Sequence, residues 1–271
     1  METGKANNIQ AKTFNSDLSE EYHLSVQIGL KQLSYCIINS KTKNVEYFNS
    51  FIVNDDITKI INQEENLRLN FKTSRVLFAN FPATLIPNEL LLKDNAKKIL
   101  ELSTDIYEII QSDKLTNIDA SIIYTIPNEM HDIAFTFFPN AKQKAQQSIL
   151  IEQFSNFENN KENAYLYIND NNLNITIFKN KKLVFNNSFS IESKEDILYF
   201  TLFTLEQLKL DTESIKTKIY GDVIKGDEKH QLLYDYIRNI NIGSKLNNLN
   251  FSSDFNNFKN YQFYALFCQI I

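Results

Sequence analysis

The chain has 271 residues, 43% hydrophobic and 23% charged, enough apolar material for one large domain or two lobes and too much for a disordered chain. Its formal net charge of −5 excludes a nucleic-acid backbone as the expected main partner. Residues 1–21 lack the apolar core of a signal peptide and no run of about 18 apolar residues follows, so the expectation is a cytoplasmic protein without membrane insertion.

Residues 1–20 are polar and mixed in charge and are expected to form a flexible tail. Over 22–30, Leu24, Val26 and Ile28 alternate with His23, Ser25 and Gln27, the period of a strand. After a turn at Lys31 and Gln32, the β-branched and aromatic run 33–39 gives a second strand, and 45–53 a third. Asn54, Asp55 and Asp56 suit a helix start, because short oxygen-bearing side chains accept from free amides and acids favour the positive end of the dipole. Ile57, Ile60, Ile61 and Leu67 make one apolar stripe on that helix, and 75–78 a buried fourth strand. A connecting region follows, with a helix over 93–102, strands over 105–110 and 120–126, a helix from Pro127 and Asn128 toward Phe138, and an amphipathic helix over 141–154. Asn159, Asn160 and Lys161 form the expected hinge, dividing a first lobe, 21–158, from a second, 159–271.

The second lobe repeats the order of the first. Strands are expected over 164–168, 173–178 and 183–190, then a helix over 194–208 with Ser193 and Asp196 at capping-box spacing, then a strand over 215–220. Leu24 to Asp55 and Ala164 to Lys194 span 31 and 30 positions, and Leu24 to Arg75 and Ala164 to Ile215 both span 51. The third strands share Asn49-Ser50-Phe51 and Asn187-Ser188-Phe189. Matched order and spacing of five elements point to an internal duplication. Residues 228–240 read as a helix, and the apolar segment 255–271 must be buried.

A duplicated β-β-β-α-β unit with mixed sheets resembles the actin-like ATPase superfamily, whose two-lobed α/β fold is ribonuclease H-like. Residues 22–30 with the next strand look like that family's first phosphate loop, and 164–175 take the place of the second. Tyr124-Thr125-Ile126-Pro127-Asn128-Glu129 resembles the connecting motif in which a strand ends in an Ile-Pro pair and turns into a helix. Ile219-Tyr220-Gly221-Asp222 resembles the strand-to-glycine turn that meets the adenosine. The segment 193–210 is similar to the pilus- and secretion-assembly branch, and to an uncharacterised bacterial family thought to share the fold. The resemblance covers about residues 22–271.

The resemblance implies ATP and Mg²⁺ between the lobes, each loop offering an Asp to position the ion and a Gly to let backbone amides approach the phosphates. Here Gly29 is present, but Gln27 stands where the first carboxylate would be, and a neutral amide brings no charge to a divalent ion. The second loop, Ile168-Asn169-Asp170-Asn171-Asn172, has one carboxylate and no Gly. Asparagine tolerates left-handed backbone, so these letters form a phosphate loop or a plain hairpin. At the adenosine turn Gly221 is followed by Asp222 in place of a second Gly. Gln27, Gly29, Asn169, Asp170, Gly221 and Asp222 are thus the candidate remnant of a nucleotide cleft, with no catalytic residue or metal ligand assigned. The expected function is a non-catalytic binding or assembly module without a cofactor, engaging a protein partner or itself. The alternative is an assembly factor that binds ATP in the cleft with weak or no hydrolysis.

Other groups add little chemistry. His23, His131 and His230 fall in separate elements without zinc spacing. His131 with Glu129 and Asp132 reads as a general base or as the polar first turn of a helix. Lys179, Lys181 and Lys182 read as solvated charges on a hairpin, and Cys36 and Cys268 as buried free thiols. Tyr199, Phe200 and Phe203 exceed what one buried helix stripe needs, and read as inter-lobe core or as a protein-binding face.

Overall fold

The computed structural model describes residues 5–54, 56–92, 95–157, 160–243, 246 and 248–270. The expectations placed on residues 1–4, Asp55, Lys93, Asn159 and Ile271 lie outside the described residues.

In the first part of the chain, β1 (Lys5–Gln10), β2 (Tyr22–Ile28), β3 (Gln32–Asn39) and β4 (Asn44–Ile52) precede α1 (Ile57–Gln63) and β5 (Thr73–Phe78). There follow β6 (Ala83–Pro87), α2 (Ala96–Glu101), β7 (Ile109–Lys114), β8 (Ala120–Ile126), α3 (Asn128–Phe137), β9 (Lys142–Ala145) and α4 (Gln146–Ser155). The second part holds β10 (Glu162–Asn169), β11 (Asn172–Lys179), β12 (Lys182–Ser190), α5 (Lys194–Gln207), β13 (Lys216–Gly221), α6 (Glu228–Tyr234) and β14 (Asn239–Ile242). β15 (Asn250–Phe251) and α7 (Tyr264–Cys268) complete it.

One sheet runs β1-β4-β3-β2-β5-β9 with β15 beside β4, and a second runs β12-β11-β10-β13-β14. Omitting β1 and β15, the two have one strand order and one pairing pattern, antiparallel, antiparallel, parallel, parallel. α1 and α5 occupy the same place in each. The repeated tripeptides share their geometry as well. Asn49 Oδ1 accepts from Ser50 N–H at 3.0 Å and Asn187 Oδ1 from Ser188 N–H at 2.9 Å. Each serine then meets the facing strand, Ser34 Oγ donating to Ser50 Oγ (3.1 Å) and Asn174 Nδ2 to Ser188 Oγ (3.0 Å). A third sheet, β6-β8-β7, stands between β5 and β9 in the chain.

The caps explain the helices. Asp56 accepts from Thr58 N–H at 2.8 Å and buries Ile57, Ile60 and Ile61 below it, while Leu67 belongs to a separate 3-10 turn. Ser193 and Asp196 form the reciprocal capping box that opens α5.

Several expectations are corrected. Residues 5–10 of the expected tail pair antiparallel with β4, because its outer edge offers backbone groups that a polar strand can fill without burying side chains. A 3-10 turn, Ser16–Glu21, follows, with Asn15 Oδ1 accepting from Asp17 N–H. The helix over 141–154 is split: β9 extends the first sheet beside β5 before α4 begins. The helix over 228–240 stops at Tyr234, and Ile240 and Ile242 alternate with Asn239 and Asn241 in β14. The strand over 105–110 starts at Ile109, and β6 had no sequence expectation. Within the expected second lobe, β15 pairs with β4, and Phe255, Phe263, Leu266 and Phe267 share a core with Val26 and Phe48.

The two sheets meet through aromatic rings. Phe154 of α4 stacks on Tyr165 at 4.5 Å and lies 5.2 Å from Tyr220 and 5.8 Å from Tyr264, while Tyr220 and Tyr264 are 4.3 Å apart. α7 is also tied to β2: Ser25 Oγ donates to the Leu266 carbonyl and Gln269 Nε2 to Ser25 Oγ, both at 2.6 Å. Among the described residues, no helix is long and apolar enough to cross a membrane.

Candidate functional site

The β2–β3 turn, the β10–β11 turn and the segment leaving β5 converge at the carboxyl ends of the central parallel strands. They enclose a hollow of about 270 Å³ lined by Gly29, Lys31, Asn80, Asp170, Asn172 and Ser190, among others. Open α/β sheets place their ligands at such strand ends.

On the first-lobe side, Gln27 is buried under the turn, where Nε2 donates to Gln32 Oε1 at 3.2 Å and Oε1 has no partner among the described residues. Gly29 N–H donates to the Gln32 carbonyl at 2.9 Å and closes the hairpin. A Cβ on Gly29 would meet nothing nearer than the Ala79 carbonyl at 3.4 Å, an ordinary contact. The turn therefore does not require glycine.

On the second-lobe side, Asp170 and Asp222 are hydrogen-bonded to each other. Asp170, at φ +53°, donates its N–H to Asp222 Oδ2 at 2.8 Å, and Asp222 N–H donates to the Ile168 carbonyl at 2.7 Å. Burial pushes the Asp222 carboxyl above the usual aspartate range, opposed by the Asp170 N–H and by Lys229, whose Nζ donates to the Asp222 carbonyl. Gly221 has φ +87°, and a Cβ there would fall 1.7 Å from the Ile168 oxygen. This glycine is demanded by the close approach of β13 to β10.

Asn80 joins the two sides. Its backbone is left-handed (φ +61°), its Nδ2 donates to the Asn169 carbonyl at 3.1 Å, and its Oδ1 is buried without a partner among the described residues, as is Asn169 Nδ2. A second bridge runs from Gln147 Nε2 in the buried first turn of α4 to Ser188 Oγ at 3.3 Å.

The family model "Protein of unknown function (DUF3822)" matches residues 11–240. The chain belongs to the DUF3822 family. No curated protein matches this DUF3822 chain. Among solved structures it is similar to a Bacteroides thetaiotaomicron protein with an actin-like ATPase fold and unknown function, with a TM-score of 0.80, 20% identity, and coverage of 94% of this chain and 98% of that one. It is also similar to the PilM-PilN type IV pilus biogenesis complex, with a TM-score of 0.59, 12% identity, and coverage of 92% and 98%. The DUF3822 protein has the actin-like ATPase fold.

All six sequence candidates come to this end of the DUF3822 sheets, although only Gly29 and Asp170 line the hollow. Asn80, which bridges the cleft, had no sequence expectation; the signal was an asparagine placed just after an apolar strand, where left-handed backbone suits it. His131 lies apart on α3, 3.5 Å from Asp132 and stacked on Phe135. His23 bonds Thr73 Oγ1, and His230 Nδ1 accepts from Gly226 N–H. No group of three or more His, Cys, Asp or Glu converges as a metal site among the described residues. On α5, Phe200 turns inward to stack on Phe189 at 4.5 Å, whereas Tyr199 and Phe203 stack on each other at 60% and 46% exposure.

Proposed function

We propose that this DUF3822 protein is an actin-like fold kept as a non-catalytic binding or assembly module, built by internal duplication and working without ATP turnover. The observation that carries the reading is the side chain of Asn80, which spans the cleft to the Asn169 carbonyl at the level of the two phosphate-loop turns. The residues around it do not fit Mg-ATP. The hollow of about 270 Å³ falls below the roughly 300 Å³ at which ligand pockets begin. Gln27 offers no charge, and Asp222, which does not line the hollow, has its Oδ2 engaged by Asp170 N–H. Burial favours the neutral form of Asp222, which weakens it further as a cation ligand.

A protein partner or a second copy is the expected occupant of the outer surface. The PilM neighbour is a complex with PilN, an analogy at the level of fold. Tyr199 and Phe203, which face solvent together, suit such a contact. The buried free thiols of Cys36 and Cys268 agree with a cytoplasmic setting.

Three atoms at the cleft without a partner among the described residues, Gln27 Oε1, Asn80 Oδ1 and Asn169 Nδ2, favour a second reading, in which a nucleotide is held without hydrolysis. Calorimetric and thermal-melt titration with Mg-ATP separates the two. The expected result is neither saturable stabilisation nor phosphate release. A saturable rise in melting temperature that Gly29→Arg abolishes overturns the non-nucleotide reading.

A further inference from the structure

A cationic groove lies along the first sheet, away from the cleft. Two hollows, of about 340 and 540 Å³, share Arg75 and Lys142. The larger adds Arg68 and Lys72, and the smaller adds Lys144, Glu152 and the amides of Asn117, Gln153 and Asn156. The chain contains three arginines, Arg68, Arg75 and Arg238, and two of them line this groove on a protein of net charge −5.

Among the described residues, the one carboxylate lining the smaller hollow is already committed. Glu152 Oε1 accepts from Thr116 N–H and Oγ1, at 3.0 and 2.9 Å, and Oε2 accepts from Lys144 Nζ at 2.6 Å. Arg75 and Lys142 are left, register partners on the parallel strands β5 and β9 and therefore on one face of the sheet. Neither has a hydrogen-bond or ion-pair partner among the described residues. Burial lowers the pKa of Arg75 from the ordinary arginine value, opposed by Glu152. Together with burial, Lys43, Lys72 and Arg75 hold His23 toward its neutral form, so the positive field reaches across the strand beside β5.

Lysines on β9 are accounted for by its place at the sheet edge, where charge deters strand addition. Arg75 is not, because β5 is flanked by β2 and β9 and lies inside the sheet. A half-buried, unpaired guanidinium at an interior strand position is costly unless something anionic satisfies it. Its planar fork matches the oxygens of a phosphoryl group, and a nearby ammonium adds a point charge.

We infer that the smaller hollow is a binding site for a small organic phosphate, its phosphoryl group held between Arg75 and Lys142 and its polar remainder facing the amides of Asn117, Gln153 and Asn156. The site is independent of the inter-lobe cleft and of whether that cleft holds anything.

The test is calorimetric and thermal-melt titration of the full chain with glycerol 3-phosphate and glucose 6-phosphate, with sodium chloride at matched ionic strength as control. The expected result is a saturable rise in melting temperature with a phosphate ester and none with chloride. Arg75→Gln and Lys142→Gln should each weaken that binding about tenfold, as loss of a charge-assisted bond predicts, and Gly29→Arg in the cleft should leave it unchanged. Absence of saturation, an equal response to chloride, or unchanged affinity in both variants overturns the inference. Should Arg75→Gln fail to fold, Lys142→Gln on the exposed edge strand decides by itself.

Discussion

Replacing Gly221 by alanine isolates one physical reason for a glycine that the fold family associates with nucleotide. The new Cβ would lie 1.7 Å from the Ile168 oxygen, 2.7 Å from its carbonyl carbon and 2.9 Å from its nitrogen, all backbone atoms of a buried central strand. None can rotate away as a side chain could. The residue also has φ +87°, and backbone held in such a region costs about 1–3 kcal/mol for a residue bearing a Cβ. Relief of the overlap requires β13 to withdraw from β10, loosening the 2.7 Å bond from Asp222 N–H to the Ile168 carbonyl, worth about 1 kcal/mol more. The sum of roughly 2–4 kcal/mol is a large share of the 5–15 kcal/mol typical of a folded domain. Gly29→Ala is the matched control, since its Cβ meets only a 3.4 Å contact and its backbone is not left-handed, so the change should stay within about 1 kcal/mol. Urea denaturation of the three proteins, at equal slope, measures both differences. Equal stability of Gly221→Ala and wild type would refute the close-approach argument, and a large loss for Gly29→Ala would refute its control.

Asp113 of β7 accepts from Ala145 N–H at 2.7 Å and from Ser148 Oγ at 2.6 Å, and burial raises its pKa. The folded state thus holds this proton more tightly than the unfolded chain. Its contribution favours folding on the acid side and is lost as pH rises from about 4 through the raised folded value. Asp113→Asn, which keeps an acceptor oxygen, should flatten that dependence in melts taken from acid to neutral pH, whereas Asp113→Ala should cost about 2–3 kcal/mol by orphaning two buried donors. Phe154→Ala removes the ring on which Tyr165 and Tyr264 stack, and should cost about 3–5 kcal/mol. Hydrogen exchange should then rise in β10 and α7 together; protection unchanged in either would show that Phe154 does not couple the lobes.

The strand order common to the two sheets was legible because their strands and helices carry their own signals. β2 and β10 are continuous apolar or alternating runs, and Ser193 with Asp196 fixes one helix start to the residue. What escaped was structure whose stabilisation comes from a distant partner. β1 and β9 are polar strands that join by backbone bonds to an edge already present, and Lys142–Ala145 runs into α4 without a break in composition. β14 did carry an Asn-Ile-Asn-Ile alternation, but the helical pattern before it masked the change of period. At the cleft, Gln27, Gly29, Asp170 and Asp222 were singled out by residue type, and they lie at the ends of β2, β10 and β13. Residue type could not show that Asn80 reaches across to Asn169, since a contact between residues 89 positions apart has no local trace.

The anchoring of α7 on β2 has a consequence for the order in which the molecule is made. Ser25 and Leu266 are separated by 241 positions, and at ribosomal speeds of about 5–20 residues per second the second emerges some 10–50 s after the first. Throughout that interval the sheet begun at the amino-terminal end lacks the rings of Phe263 and Phe267 that cover Phe48. The second sheet, whose strands lie close together in sequence, can close its own core in the meantime. The lobe synthesised first is thus the one completed last, and its exposed aromatic face is the surface a chaperone would meet on the nascent chain.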